Sequence, residues 1–97
     1  MLTWANITTG AVSSIGTTAI QISSARKTTS GVYIKADATN TSPVYIGGST
    51  VTRGTADATD GFPIAASEWV FIEIADPSLI YVISSGTGQK VYFQFIY

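Results

Sequence analysis

The alternating stretch Val32-Tyr33-Ile34-Lys35-Ala36 decides the fold class of this chain of 97 residues. Its apolar residues recur at every second position, so they share one face of a strand while Tyr33 and Lys35 share the other. Residues 68–74, with the sequence Glu-Trp-Val-Phe-Ile-Glu-Ile, repeat the alternation. A period of two is typical of β-strands, and no window shows sustained apolar spacing at three and four residues.

The remaining sequence continues this β pattern in short runs separated by turn residues. Twelve Ile, seven Val and fourteen Thr stand against two Leu and one Met, and β-branched side chains favour strands over helices. Further strands are predicted at residues 18–22, 44–46, 61–64, 79–83 and 90–97. Pro63 restricts its run to an edge strand or an ordered loop. The last two runs predict an antiparallel hairpin, with 79–83 as a central strand because it is apolar on both faces.

Seven or eight short strands in a chain of this length predict an all-β, antiparallel sandwich or small barrel. The sandwich domain is placed at residues 18–97. Residues 1–17 are rich in Thr, Ser, Gly and Ala and are only weakly patterned, which leaves two interpretations. They form an N-terminal arm that reaches another molecule, or they are a flexible, frayed terminus.

Composition excludes several classes of function. The chain has no cysteine and no histidine, so zinc-thiolate sites, Cys nucleophiles and the usual general base are all absent. A net charge of −1 gives no field that would hold nucleic acid or an anionic membrane surface. No apolar run approaches the ~20 residues of a membrane-spanning helix, and the first residues do not resemble a signal peptide. Synthesis in the cytoplasm is therefore expected.

The acidic residues do not form a recognisable catalytic or metal site. Asp37, Asp57 and Asp60 fall in predicted loops, but their spacing matches no calcium-binding loop. Glu68 and Glu73 lie five positions apart on one strand and so face opposite sides, which excludes a glycosidase pair. Neither a metal nor a cofactor is expected.

No nucleophile is selected by the sequence either. None of the eleven serines lies in a nucleophile-elbow motif, and no histidine is present to activate one. A Ser–Lys arrangement with Lys27, Lys35 or Lys90 stays open, although nothing selects it. The glycines of residues 86–90 lack the spacing of a phosphate loop and lead into a strand rather than a helix. The sequence therefore predicts a domain without catalysis.

The aromatic residues are the candidate functional residues. Tyr33, Trp69 and Phe71 lie opposite the aliphatic sets of their strands, where a monomeric sandwich would be mostly polar. Burial against another protein chain accounts for them, because interfaces are rich in aromatic residues and poor in charge. Only 11% of residues are charged, against about 25% in typical soluble domains. The full set of interface candidates is Trp4, Tyr33, Trp69, Phe71, Tyr81, Tyr92 and Tyr97.

Two alternative roles for these rings stay open. In the first, the faces are misassigned and the rings belong to the core of the sandwich. In the second, the rings stack on sugars in a carbohydrate-binding module.

Four motifs in order give the chain a family resemblance. They are Gly31-Val32-Tyr33-Ile34-Lys35-Ala36-Asp37, Pro43-Val44-Tyr45-Ile46-Gly47-Gly48, Val51-Thr52, and Gly61-Phe62-Pro63-Ile64-Ala65-Ala66-Ser67-Glu68. Followed by the Ile80-Tyr81-Val82 strand and a glycine-containing turn, this order resembles small virion proteins of tailed bacteriophages. The resemblance covers about residues 17–97, and Ala66-Ser67-Glu68 departs from the Ala-Gly-Glu usual there.

The resemblance implies a capsid decoration, or cement, protein. Such a protein is a jelly-roll-like sandwich that forms a homotrimer, binds the major capsid protein and stabilises the shell from its outer surface. Its location is then the virion. A tail or fibre component is the alternative within the virion. The resemblance carries over no catalytic or ligand-binding residue.

Overall fold

The computed structural model describes residues 6–26 and 28–97, and eight strands in these residues form two antiparallel sheets. The strands are β1 (Ile7–Ile15), β2 (Ile20–Gln21), β3 (Val32–Ala36), β4 (Val44–Gly47), β5 (Phe62–Ile64), β6 (Trp69–Ile72), β7 (Tyr81–Ser84) and β8 (Gln89–Ile96). A 3₁₀ turn at Pro77–Leu79 precedes β7. The predicted all-β antiparallel sandwich is confirmed.

The strand order is that of an eight-stranded jelly roll. The first sheet has the order β1-β8-β3-β6, and the second has the order β2-β7-β4-β5. Strand 1 pairs with 8, 2 with 7, 3 with 6 and 4 with 5, as in one long antiparallel ribbon wound over two sheets. Two further pairings, β3 with β8 and β4 with β7, complete the sheets.

The core lies between the two sheets and follows the alternation read from the sequence. In β3, Val32, Ile34 and Ala36 are fully buried, whereas Tyr33 and Lys35 are exposed. The other strands contribute residues with the same periodicity, among them Val44, Ile46, Val82, Val91 and Phe95. A shift of one residue in the pairing of a strand would turn its core residues outward, so this alternation fixes the register of the strands.

The predicted hairpin between the last two strands is wrong. β7 lies between β2 and β4 in the second sheet, whereas β8 lies between β1 and β3 in the first. Residues 85–88 cross from one sheet to the other, so the short loop forms a corner of the sandwich. Buried Gln89 holds this corner by accepting hydrogen bonds from the Thr41 and Ser42 amides (2.8 and 3.1 Å) and donating to the Thr87 carbonyl (2.6 Å).

Two other strand predictions are confirmed with adjusted bounds. β5, which contains Pro63, is an edge strand, as the missing amide donor requires. β7 is central, but it begins at Tyr81 rather than at Leu79. Leu79 ends the 3₁₀ turn, which starts where the Asp76 carboxylate accepts the Ser78 amide at 2.9 Å.

The expectation of an arm or flexible segment over residues 1–17 is corrected for residues 7–15. These residues form β1, which pairs along β8 from Ile7 opposite Ile96 to Val12 opposite Val91. The strand fits closely because Gly10 has no side chain, and a Cβ there would come within 2.6 Å of the Phe93 ring. Residues 1–5 lie outside the described residues.

The loop between β4 and β5 is organised by one carboxylate. Asp60 accepts hydrogen bonds from the amides of Gly54, Thr55 and Ala56 at 2.9–3.1 Å, and from the Thr52 hydroxyl at 2.8 Å. These donors, the Ala56 amide first, hold the pKa of Asp60 below its ordinary value. The ionised carboxylate therefore orders residues 53–60 through these hydrogen bonds.

Candidate functional site

Four aromatic side chains lie together on the outer face of the first sheet. Pairing of β3 with β6 sets Tyr33 opposite Phe71 and Lys35 opposite Trp69, and pairing of β3 with β8 sets Lys35 opposite Tyr92. Trp69 is 62% exposed, and the other three rings are 42–43% exposed. We call Tyr33, Trp69, Phe71 and Tyr92 the aromatic face.

Three rings of the aromatic face are in direct contact. The Tyr33 ring centre lies 4.7 Å from that of Phe71 and 5.5 Å from that of Trp69, at interplanar angles of 50° and 42°. Tilted aromatic pairs in this distance range contribute about 0.5–1.5 kcal/mol beyond their burial. The rings therefore form an ordered cluster over β3 and β6 rather than three independent side chains.

A glycine positions the Phe71 ring. Gly31, directly before β3, is buried beneath Phe71. A Cβ at Gly31 would overlap the Phe71 ring and would come within 2.8 Å of the Ile72 carbonyl oxygen. The backbone carbonyl cannot move aside as a side chain can, so a glycine is required for the Phe71 ring to pack over residue 31.

Tyr92 is held separately, at the other side of Lys35. Its hydroxyl donates a 2.9 Å hydrogen bond to Oδ1 of Asp37, and the Lys90 ammonium lies 4.8 Å from its ring centre. Asp37 also accepts from the hydroxyl and amide of Thr39, and these bonds, followed by that from Tyr92, keep its pKa below the ordinary value. The phenol therefore has an ionised acceptor, which fixes the orientation of the ring.

An open groove of about 600 Å³ runs across the sheet between Tyr92 and the other rings. Trp69, Tyr33 and Tyr92 line it together with Thr9 and Gln94. Lys35 is the one charged side chain in its lining, within the part of the chain that the structure describes. The groove is thus a largely neutral surface with aromatic walls.

The structure places the other predicted interface residues elsewhere. Tyr81 lies in the second sheet, opposite Gln21 and Gly47, and is half-buried. Tyr97 is partly buried against the core, and its ring centre is 6.0 Å from that of Phe95. Trp4 lies outside the described residues. Four of the seven candidates therefore share one surface.

Sequence reasoning missed several residues of this surface. Thr9 and Ala11 line the groove from β1, the strand that was expected to be an arm or flexible segment. Gln94 faces the groove from β8, two positions after Tyr92. Alternate residues of a strand share a face, so the position of Tyr92 would have predicted that Gln94 lies on the same surface. β1 carries only a weak apolar pattern, which gives no comparable signal for Thr9 and Ala11.

A second apolar cleft, of about 410 Å³, opens between β6 and the second sheet. Val70 and Ile72 of β6 line it, together with Phe62 and Leu79, which are 62% and 58% exposed. Its residues come from both sheets, so the cleft is an opening of the sandwich at its edge. It lies on the inner side of β6, where Val70 and Ile72 pack against the core, whereas Trp69 and Phe71 lie on the outer side of the same strand.

The described residues contain no group of three or more acidic, histidine or cysteine side chains that could hold a metal ion. Within the same residues, no helix is long and apolar enough to cross a membrane. Comparison with known proteins found no matching family model, curated protein or solved structure. The jelly-roll fold, the aromatic face and the sequence motifs are therefore the observations that bear on function.

Proposed function

We propose that this chain is a structural protein of a bacteriophage virion, a capsid decoration protein that binds the outer surface of the shell as an oligomer. In this function the chain catalyses no reaction and needs no cofactor. The observation that carries the proposal is the aromatic face, four ordered rings uncovered on a sheet with little charge. The ordered sequence motifs from Gly31 to Glu68 support the virion as the setting.

The exposed ring surface has the size of an interaction site. At 150–250 Å² for a complete aromatic side chain, the exposed fractions leave roughly 300–450 Å² of ring surface in one patch. A standard interface buries about 800 Å² on each partner, so these rings supply about half of one side. Lys35 is the one charged side chain that lines the groove between these rings in the described residues, and sparse charge is typical of the centre of an interface.

The proposed mechanism is adhesion by several contacts at once. In a homotrimer, the symmetry implied by the resemblance, each protomer presents the same surfaces to its neighbours and to the shell. Once one protomer is bound, the others engage capsid subunits at high effective concentration, so weak contacts combine into stable attachment. The sandwich keeps the rings in position, because Phe71 packs on Gly31 and the Tyr92 hydroxyl donates to Asp37.

The copy number in purified virions tests the location. Quantitative mass spectrometry of virions made by the genome that encodes the chain should find it in numbers comparable to the major capsid protein. A tail or fibre component would be present in far fewer copies. Absence from intact virions would overturn the proposal.

A neutral glycan is the second candidate ligand, because the groove combines ring walls with hydrogen-bonding groups. Gln94 and Thr9 line the same groove as Trp69 and Tyr33. A carbohydrate-binding module predicts a monomer whose binding to a glycan array is lost in Trp69→Ala. Glycan binding by a stable monomer, without association with virions, would favour this candidate over the virion protein.

A further inference from the structure

The four sheet edges of the sandwich differ in how they are protected. Unpaired edges template pairing with other chains, and proteins protect them with short strands, charges, proline or bulges. β2 has only two residues, and β5 has three including Pro63. β6 has four residues and is flanked by exposed Glu68 and Glu73. Three edges therefore carry such a device.

The fourth edge, β1, lacks this protection along most of its length. It has nine residues, Ile7–Ile15, with neither a charged residue nor proline. A register shift after Val12 and a positive φ of 60° at Ser14 bend only its end. In the part of the chain that the structure describes, no strand covers residues 7–12 on the open side. Ile7, at the start of the strand, is 61% exposed.

The hydrogen-bond alternation shows which backbone groups are open. Asn6 and Tyr97 exchange both backbone hydrogen bonds, at 2.8 and 2.9 Å. In an antiparallel pair, every second residue bonds the neighbouring strand and the residues between point away from it. Counting from Asn6, the amides and carbonyls of Ile7, Thr9 and Ala11 therefore point to the open edge.

We propose that β1 pairs with β1 of a second copy of this chain, antiparallel and with a two-fold axis at Thr9. In this register Thr9 faces Thr9 of the second copy, and Ile7 faces Ala11. The open amides and carbonyls of these three residues then bond across the axis, and the two first sheets become one continuous sheet. The large side chain of Ile7 then lies opposite the small one of Ala11, the two Thr9 side chains lie opposite each other, and no like charges are paired. A two-fold axis at Ala11 would instead bring Ile7 opposite the bulged end of the strand.

This contact is separate from the threefold contact of the proposed function. A two-fold contact is isologous and cannot close a trimer, so it joins copies from different trimers. If the threefold contact exists, the first association step as the concentration rises joins two trimers of three times 10.2 kDa into a hexamer. If it does not, monomers become dimers. Loss of this doubling step in variants of the β1 edge, and not its presence alone, therefore reports β1, whatever the outcome for the trimer.

Charge variants at the two-fold axis test this pairing by light scattering with size exclusion over a concentration series. Thr9→Lys and Thr9→Asp each place two like charges opposite each other, and each should raise the dissociation constant of the doubling step at least about tenfold. An equal mixture of the two variants should restore the step, because opposite charges then face each other. Gln94→Lys is the matched control, since Gln94 pairs with Thr9 on the same face but lies one strand inside the edge.

The mixture result is specific to self-pairing through Thr9. A second variant, Thr9→Pro, removes the open-edge amide without removing a hydrogen bond to β8, and it should also abolish doubling while circular dichroism shows a folded sandwich. Absence of a doubling step in the wild type overturns the proposal. Failure of the mixture to restore a step that both single variants lose also overturns it, and would indicate a different partner strand at this edge.

Discussion

Replacing Trp69 with alanine should dissociate the proposed oligomer while leaving the sandwich folded. Trp69 begins β6 at the edge of the first sheet and is the most exposed ring of the aromatic face, at 62%. It contributes little to the core, because the residues that β6 directs inward are Val70 and Ile72. Its exposed part is therefore available to a neighbouring chain.

The size of the effect follows from the exposed area. Taking a tryptophan side chain at roughly 250 Å², 62% exposure leaves about 155 Å² to be buried in an interface. At about 25 cal/mol per Å² this corresponds to about 4 kcal/mol, of which alanine retains a part. A loss of about 3 kcal/mol raises the dissociation constant by roughly 100-fold. The portion already buried limits the loss of folding stability to about 2 kcal/mol.

Light scattering coupled to size exclusion measures the mass, and thermal unfolding monitored by circular dichroism measures the fold. The wild type should elute near three times 10.2 kDa at concentrations where Trp69→Ala is a folded monomer. Phe62→Ala is the matched control, because Phe62 is also 62% exposed but lies in the second sheet. An equal effect of both substitutions on the oligomer, or no effect of Trp69→Ala, would refute the assignment of the interface to the aromatic face.

Three further substitutions test the supports of the fold and the aromatic face. Gly31→Ala should lower the free energy of unfolding by about 1–3 kcal/mol and weaken the oligomer, because the added methyl group displaces Phe71. Chemical denaturation measures the free energy of unfolding, and light scattering measures the mass in solution. Unchanged values of both would contradict the close packing of Gly31 against Phe71. Gln89→Leu should lower the free energy of unfolding, measured in urea, by about 2–3 kcal/mol, because the Thr41 and Ser42 amides and the Thr87 carbonyl lose their hydrogen-bond partner. An unchanged free energy of unfolding would show that water replaces the side chain. The amides that donate to the Asp60 carboxylate should stay protected from hydrogen exchange down to pH 3.8 and should lose that protection as the pH falls through the lowered pKa of this carboxyl. Asp60→Asn should reduce the protection at every pH above that pKa, and hydrogen exchange that is the same in variant and wild type at neutral pH would contradict the role of Asp60.

The alternation of apolar and polar residues predicted most of the sandwich. In β3 and β6 it gave both the strand positions and the faces, so Tyr33, Trp69 and Phe71 were correctly placed outside. The same rule, carried through β8, puts Tyr92 and Tyr97 on opposite faces. Naming both as interface candidates therefore neglected a parity that was available, and Tyr97 packs against the core.

Pairing partners could not be read in the same way. Residues 79–83 and 90–97 are joined by a short loop, which fits a hairpin and a corner between sheets equally well. The outcome depends on long-range contacts, including the bonds of Gln89 to the loop before β4. β1 was missed because Thr, Ser, Gly and Ala give little hydropathy contrast, and its place depends on fitting Gly10 over Phe93.

Reactivity of a thiol on the aromatic face tests most directly whether this face is covered by protein. The chain has no cysteine, so a single one introduced by Lys35→Cys, between Tyr92 and Trp69, is labelled without background. Ala58→Cys, in the exposed loop before β5, is the control. We expect assembly into the oligomer or the virion to slow labelling at position 35 strongly and to leave labelling at position 58 unchanged. Equal labelling rates at position 35 in the dilute monomer and in both assembled forms would contradict the account.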